Sequence, residues 1–193
     1  MSDTIKDGKG RGYLAGVNSD NQLLTRATAI EQRLVSAIDG NYFEATTGVV
    51  TLTDAAELDI LYIKYTGTKA LIIDRVFYDT WASTAGVANT GILKYYHTIT
   101  SVTGGTAATV TNTNFLTPNS LDATATKSTA FTGGSVWWTG LLTAGGSVAL
   151  EEGRIVLLPN ASFGISVQAP TSNSSMNVNI NVGMYELNTD LIQ

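Results

Sequence analysis

An all-β fold is predicted by three features of this 193-residue chain. The first is period-two alternation. "MNVNINVGMYE" sets Met176, Val178, Ile180, Val182 and Met184 on one face and Asn177, Asn179, Asn181 and Tyr185 on the other, the pattern of a strand with one buried side. The second is the polar vocabulary. Only 14% of residues are charged, and the wet positions are filled by Thr, Ser, Asn and 19 Gly. Thr is β-branched and fits a pleated surface, whereas exposed helix faces favour Glu, Lys, Gln and Ala. The third is spacing: short apolar runs recur with turn-rich connections, as in an antiparallel sandwich or barrel.

The length allows one domain plus an extension, or at most two small domains, with a core that needs no staple. The expected division is an N-terminal arm with a short helix over residues 1–40 and a β-domain over residues 41–193. Residues 10–27, "GRGYLAGVNSDNQLLTRA", begin with turn signals and a few hydrophobes. A hairpin is expected around "NSDN" (18–21), with Tyr13, Leu14, Val17, Leu23 and Leu24 as its apolar content. Burying five such side chains falls short of what ordering the backbone costs, so a lone hairpin does not hold. The arm docks on its own domain, docks on another chain, or stays disordered. Its length and punctuation favour strand addition to a neighbouring subunit, with those five residues at the interface.

Next comes a helix signal. Thr28 and Glu31 have capping-box spacing, Ile30, Leu34 and Ile38 fall on one stripe, and Gly40 suits the stop. The strands follow. "LDILYIKY" (58–65) and "ALIIDRVFYDTW" (70–81) flank "TGTK", which reads as a hairpin turn. "GILKYYHTI" (91–99) is a third strand. Residues 101–134 are rich in Thr, Ala, Asn and Gly; a structureless loop of that length is out of place in a compact domain, so short strands or a folded excursion are expected. "SVALEEG" and "RIVLLPN" are strands ended at Gly153 and Pro159–Asn160. Phe163, Ile165, Val167 and Ala169 then alternate with Gly164, Ser166 and Gln168 before the loop "PTSNSS" and the last strand.

Little here carries chemistry. The absence of Cys removes thiol nucleophiles, disulfides and Cys-based zinc sites. His97 is the only histidine, so no His-based metal cluster can form, and no G-x-S-x-G elbow supplies it with a serine. A structural role is expected for it. Asp54, Glu57, Asp59, Asp74, Asp79, Glu151 and Glu152 are the carboxylates from which a glycosidase pair would be drawn. Glu151–Glu152 and the Asp54/Glu57 stretch read more simply as turns. No EF-hand, phosphate-cradling or dinucleotide pattern occurs, so neither catalytic residues, metal nor cofactor are expected.

Trp137 and Trp138 are adjacent, which in a strand sends one into the core and leaves the other outside. An exposed indole stacks on a sugar or anchors a protein contact; the plainer alternative is an outer Trp covered by a loop. Net charge is −5 with no Lys/Arg cluster, so no nucleic-acid partner is expected. No run approaches the ~18 apolar residues that would cross a membrane as a helix. "MSDTIKDGKG" lacks the apolar segment of a secretory signal, and a soluble protein made in the host cytoplasm is expected.

Three stretches together resemble a known group. "DGKGRGYLAGVNSDNQLLTRA", with its V-N-S-x-N-x-L pattern, resembles the leader segments of tailed-bacteriophage structural proteins. "TGVVTLTDAAELDILYIKYTGTKALIID" resembles the first strands of jelly-roll modules in such virion proteins, and "VTGGT" followed by "NTNFLTPNS" is similar to their middle loop. The resemblance implies an antiparallel β-sandwich of jelly-roll type with an extended N-terminal arm and one short helix. It implies a non-enzymatic virion component that decorates and cements the capsid. Its partners would be the major capsid protein or other virion proteins, and such proteins act as symmetric oligomers, a trimer fitting local symmetry points of the shell. The alternatives are a head-fibre, tail or baseplate adhesin that binds host glycans and, least favoured, a carbohydrate-active enzyme on a β-sandwich.

Overall fold

A computed structural model describes residues 16–17, 23–24, 32–52, 56–82, 90–116, 118–143, 147–150, 155–169 and 176–187. The chain divides into two units, Met1–Glu31 and Gln32–Gln193. In the first, β1 (Gly16–Val17) pairs antiparallel with β2 (Leu23–Leu24), Gly16 opposite Leu24, so a hairpin brackets "NSDN". The side chains of Tyr13, Leu14, Val17, Leu23 and Leu24 lie outside the described residues.

The second unit opens with α1 (Gln32–Ile38). Thr28, Ile30 and Glu31, the start expected for it, lie outside the described residues. Its end is a Schellman motif: Asn41 N–H donates to Ser36 O (2.7 Å) and Gly40 N–H to Ala37 O (3.2 Å), with Gly40 at φ 72°. Gly40→Ala is expected to lower stability by about 1–2 kcal/mol, because a Cβ is strained in that backbone region. Chemical denaturation checks this as a lower midpoint at unchanged m-value. The apolar stripe, by contrast, is open, with Leu34 52% and Ile38 64% exposed. The helix packs through Ala37 against Tyr42, Ala70, Ile72 and Tyr185, and Ser36 is buried. A two-turn helix anchored by its C-terminal turn has its facing set by the strand that follows, not by its widest stripe.

Eleven strands follow: β3 (Tyr42–Leu52), β4 (Glu57–Tyr65), β5 (Ala70–Ala82), β6 (Thr90–Thr103), β7 (Thr106–Ala107), β8 (Thr109–Asn112), β9 (Ala123–Thr143), β10 (Ser147–Leu150), β11 (Ile155–Leu157), β12 (Ser162–Gln168) and β13 (Met176–Leu187). They form two antiparallel sheets packed as a sandwich. One runs β10–β5–β13–β3–β8, with β11 also on β5; the other runs β4–β12–β6–β9–β7. With the short β7 and β8 set aside, the orders β3–β13–β5–β10/β11 and β4–β12–β6–β9 are those of a jelly roll. The core lies between the sheets and includes the predicted inner face of β13, where Met176, Val178, Ile180, Val182 and Met184 are fully buried. On its outer face the predicted polar row makes cross-strand pairs, Thr51 Oγ1 donating to Asn177 (2.7 Å) and Thr46 Oγ1 to Asn179 (3.3 Å). Tyr185, on the same outer face, lies opposite Tyr42 in β3, the rings 6.3 Å apart.

The hairpin expected at "TGTK" is not formed. β4 and β5 belong to opposite sheets, so residues 66–69 carry the chain around a corner. Tyr65 pins that corner from below, donating to Glu186 Oε1 (3.2 Å) and accepting from Lys69 N–H (3.2 Å). A tight turn between two patterned strands suits a hairpin and a corner equally; pairing with distant strands decides.

The β4–β12–β6–β9 sheet closes on itself. β9 follows β6 from Thr143 to Ala130, then continues along the far edge of β4 from Thr129 to Ala123. The β6–β9 ribbon bends where Thr98 (φ 58°) in one strand faces Gly133 and Gly134 (φ 70° and 95°) in the other. Past the bend it lies over the outer face of the sheet. Phe131 packs on Tyr62 and Tyr96 (ring centroids 6.2 and 5.6 Å), and its N–H donates to Asp59 Oδ2 (2.6 Å). The alternation predicted for β12 is therefore buried on both faces: Gly164 and Ser166 sit under the ribbon as Ile165 and Val167 sit in the core. Residues 101–134 form the folded excursion expected, made of the β6 end, β7, β8 and the first half of β9.

Candidate functional site

Two surface features of the second unit stand out, an apolar tip and a cleft. The tip is built by asparagines. Asn112 Oδ1 accepts from Asn114 N–H (2.8 Å) and Asn114 Oδ1 from Leu116 N–H (3.0 Å), two successive Asx turns that lift Phe115 and Leu116. The same side chains tie the loop to the end of α1. Asn112 Nδ2 donates to Gly40 O (2.7 Å), Asn114 Nδ2 to Ile38 O (2.7 Å) and Asn119 Nδ2 to Asp39 O (2.9 Å), which satisfies carbonyls the helix leaves open. On this fixed base Phe115 is 86% and Leu116 93% exposed, next to exposed Ile38. Sequence reasoning passed over both residues. The signal was present in the N-x-N-x spacing of "NTNFL", which sets up the two Asx turns.

The tryptophans sit at a β-bulge. Tyr95 pairs with Trp138 and Tyr96 with Val136, which leaves Trp137 as the extra residue. Both indoles consequently approach one ring: Trp138 stacks on Tyr95 at 4.8 Å and Trp137 tilts toward it at 5.9 Å. Trp138 packs against the core and Trp137 is 46% exposed. The inside/outside division holds, but the strict alternation assumed for it does not, because the bulge resets the strand's facing at this pair.

Beside Trp137 lies a hollow of about 250 Å³, and adjoining it, between the kink in β6 and the turn after β11, a second of about 450 Å³; the two make up the cleft. They share His97, Val156, Leu157 and Ser162. His97, expected to be structural, is exposed on the cleft wall, its Nδ1 2.7 Å from Thr98 Oγ1. Ser162 Oγ braces the kink, accepting from Ile99 N–H (3.1 Å) and donating to Ile99 O (3.3 Å).

The carboxylates are dispersed. Asp54, Glu151 and Glu152 lie outside the described residues. Glu57 accepts from Tyr96 OH (2.6 Å), Ser166 Oγ and Lys94 Nζ, and these donors hold its pKa below the usual carboxylate value against the opposing effect of burial. Asp59, beside it, is pushed up by burial, against the hydrogen bond from Phe131. Glu57 ties β4 to β6 and β12 within the sheet, and Asp59 fastens the ribbon to it. Asp74 is in the other sheet, accepting from Tyr42 OH (2.9 Å); burial and this bond push the Tyr42 hydroxyl's pKa well up. Asp79 lies on β5, half-buried. Among the described residues no group of three or more His, Cys, Asp or Glu is placed to hold a metal ion. Nor is any described helix long and apolar enough to cross a membrane.

No protein-family model and no curated protein matches the chain. Among solved structures the chain is similar to the Yersinia pseudotuberculosis-derived mitogen, at 10% identity over 72% of this chain and 83% of that one, with a TM-score of 0.36. It is also similar to the protein of infectious bursal virus-derived T=1 particles, at 12% identity over 97% of this chain and 46% of that one, with a TM-score of 0.22. The chain thus spans less than half the length of the viral particle protein. Likeness at these TM-scores carries no functional argument, and function is read from the chain's own geometry.

Proposed function

We propose that the chain is a non-enzymatic structural protein of a tailed-phage virion, one that decorates and cements the capsid as a homo-oligomer, a trimer by preference. The observation that carries this reading is the apolar tip. A hydrogen-bonded platform of three asparagines holds a phenylalanine and a leucine in water, where each forfeits the ~1.5–3 kcal/mol that burial contributes. Rigidly presented apolar side chains of this kind mark a surface made to be covered by another protein. A symmetric oligomer repeats that gain at every copy. The sparse charge agrees with it, since a Thr- and Asn-rich surface packs against a neighbour without stripping water from ions. No reacting group is required: of the neighbouring carboxylates, Glu57 is taken up in tying β4 to β6 and β12, and Asp59 in bracing the ribbon.

The test is the double variant Phe115→Ser/Leu116→Ser. It is expected to keep the wild-type denaturation midpoint within ~0.5 kcal/mol, as exposed positions do. Its assembly by sedimentation and its retention on capsids are expected to fall at least about tenfold, the loss of one or two apolar anchors. Unchanged assembly and unchanged retention overturn the role of the tip. If the wild-type protein binds particles yet leaves their thermal stability unaltered, cementing is withdrawn and decoration stands.

A further inference from the structure

We propose that the cleft beside Trp137 is a binding site for a neutral saccharide unit. This goes beyond the assembly reading and does not rest on it. The chemistry of the lining selects the class. Its described residues include no Asp, Glu, Lys or Arg, and the cation beside it, Lys64 Nζ, is bonded to the Asn160 carbonyl, so an anionic phosphate or sialic-acid carboxylate meets no charged side chain of the lining. An apolar side is made by Val156 and Leu157, which line both hollows, with the half-exposed Trp137 indole in the smaller and Pro159 in the larger. A polar side is made by His97, which lines both hollows, and by Thr98, Thr100 and Asn160 in the larger. A pyranose matches that division, with a C–H face to lie on the indole and a hydroxyl edge to bond the polar side. A wholly apolar ligand would leave the polar side unpaired. The hollows, about 450 and 250 Å³, suit one or two sugar units.

Of the three described non-glycine residues in the left-handed region, Thr98 (φ 58°) and Asn160 (φ 66°) line the cleft and Ser128 (φ 54°) does not; Thr98, β-branched, is the strained one. The kink at Thr98 also settles the histidine. Its Nδ1 is engaged by Thr98 Oγ1, while among the described residues its other nitrogen has no protein partner and is open to a ligand hydroxyl. The bulge at Trp137 and the bend next to His97 are two neighbouring irregularities of the same strand pair, β9 and β6, and each supplies one side of the site. Ser162, buried and bonded twice to Ile99, holds the bend in place without a ligand.

Because His97 is the only histidine, its ring signals in an NMR spectrum need no assignment. The probes are glucose, galactose, mannose, N-acetylglucosamine and N-acetylgalactosamine as methyl glycosides, with adenosine as a stacking ligand of another class and N-acetylneuraminic acid as a charged one. The full-length protein is expected to show a saturable His97 shift with at least one neutral sugar and none with N-acetylneuraminic acid. Trp137→Ala is expected to weaken that binding about tenfold or more, and Trp81→Ala, an exposed indole on β5 outside the cleft lining, to leave it unchanged. Val156→Arg, an exposed edge position whose side chain would fill the cleft, is a second variant that keeps the indole and is expected to abolish the shift. No saturable shift with any neutral sugar overturns the proposal. So does a shift with adenosine alone, or binding that survives both Trp137→Ala and Val156→Arg.

Discussion

Gly164→Val is expected to lower stability by about 2–3 kcal/mol and to loosen the β6–β9 ribbon ahead of the rest of the protein. A Cβ at residue 164 would collide with Ile99 Cδ1 and stand 2.7 Å from the Phe131 ring. Neither neighbour yields easily. Ile99 is buried at the bend, and Phe131 is wedged between Tyr62 and Tyr96, with its own N–H bonded to Asp59. The added methyls therefore displace the ribbon, and the pairing of Thr129–Ala123 with β4 goes with it. Hydrogen exchange reads this directly: amides of residues 123–133 are expected to exchange faster, while β13, held between β3 and β5, keeps its protection. Phe131→Ala makes room for the new side chain. In the double variant part of the loss is expected to return, so the two effects fall short of additive. Additive losses, or uniform acceleration of exchange across both sheets, would show that the ribbon is not what Gly164 accommodates.

The legible parts of this fold were those in which one strand carries its own pattern. β13 alternates cleanly because one face is core and the other is a row of Asn–Thr pairs, and the sequence states both. Gly40 is legible because its φ of 72° is demanded locally by the Schellman turn. Closure of the β4–β12–β6–β9 sheet was not legible. It depends on Gly133–Gly134 meeting Thr98 across two strands, and a Gly-Gly pair in sequence reads as a turn. "TGTK" misled for a related reason: a turn fixes a change of direction, whereas the strand that becomes the partner is chosen by the whole sandwich. The candidate surfaces were half legible. Adjacent tryptophans drew notice, but the bulge that aims Trp137 at His97's cleft is a register property of β6 against β9. Phe115 and Leu116 looked like ordinary loop residues until the asparagines flanking them proved to be bonded to the helix end.

Alkaline pH is expected to unfold the protein between pH about 10 and 12, and the cause is its buried phenols. Burial pushes Tyr65 up to about 12, and the neighbouring Glu186 carboxylate adds to the effect. Tyr96 is raised likewise to about 12, by burial first and then by its hydrogen bond to Glu57. A phenol whose pKa is higher folded than unfolded contributes stability that is fully present below the unfolded value of about 10 and is lost as pH rises through the folded value. For Tyr65, fully buried, that contribution is about 2–3 kcal/mol; for Tyr96, partly open to water, about half as much. Together they are a large fraction of the 5–15 kcal/mol that typically separates folded from unfolded domains. Tyr42 reinforces the trend, since ionising it beside Asp74 would put two negative charges on one buried hydrogen bond. Tyrosinate absorbance is therefore expected to rise together with loss of β-sheet circular dichroism rather than ahead of it. Tyr65→Phe gives up the bond to Glu186 and costs about 1–2 kcal/mol at neutral pH, yet it removes one titrating group and is expected to make stability fall less steeply above pH 10. The account fails if most of the eight tyrosines ionise near pH 10 while both sheets remain folded, or if Tyr65→Phe leaves the alkaline slope as steep as before.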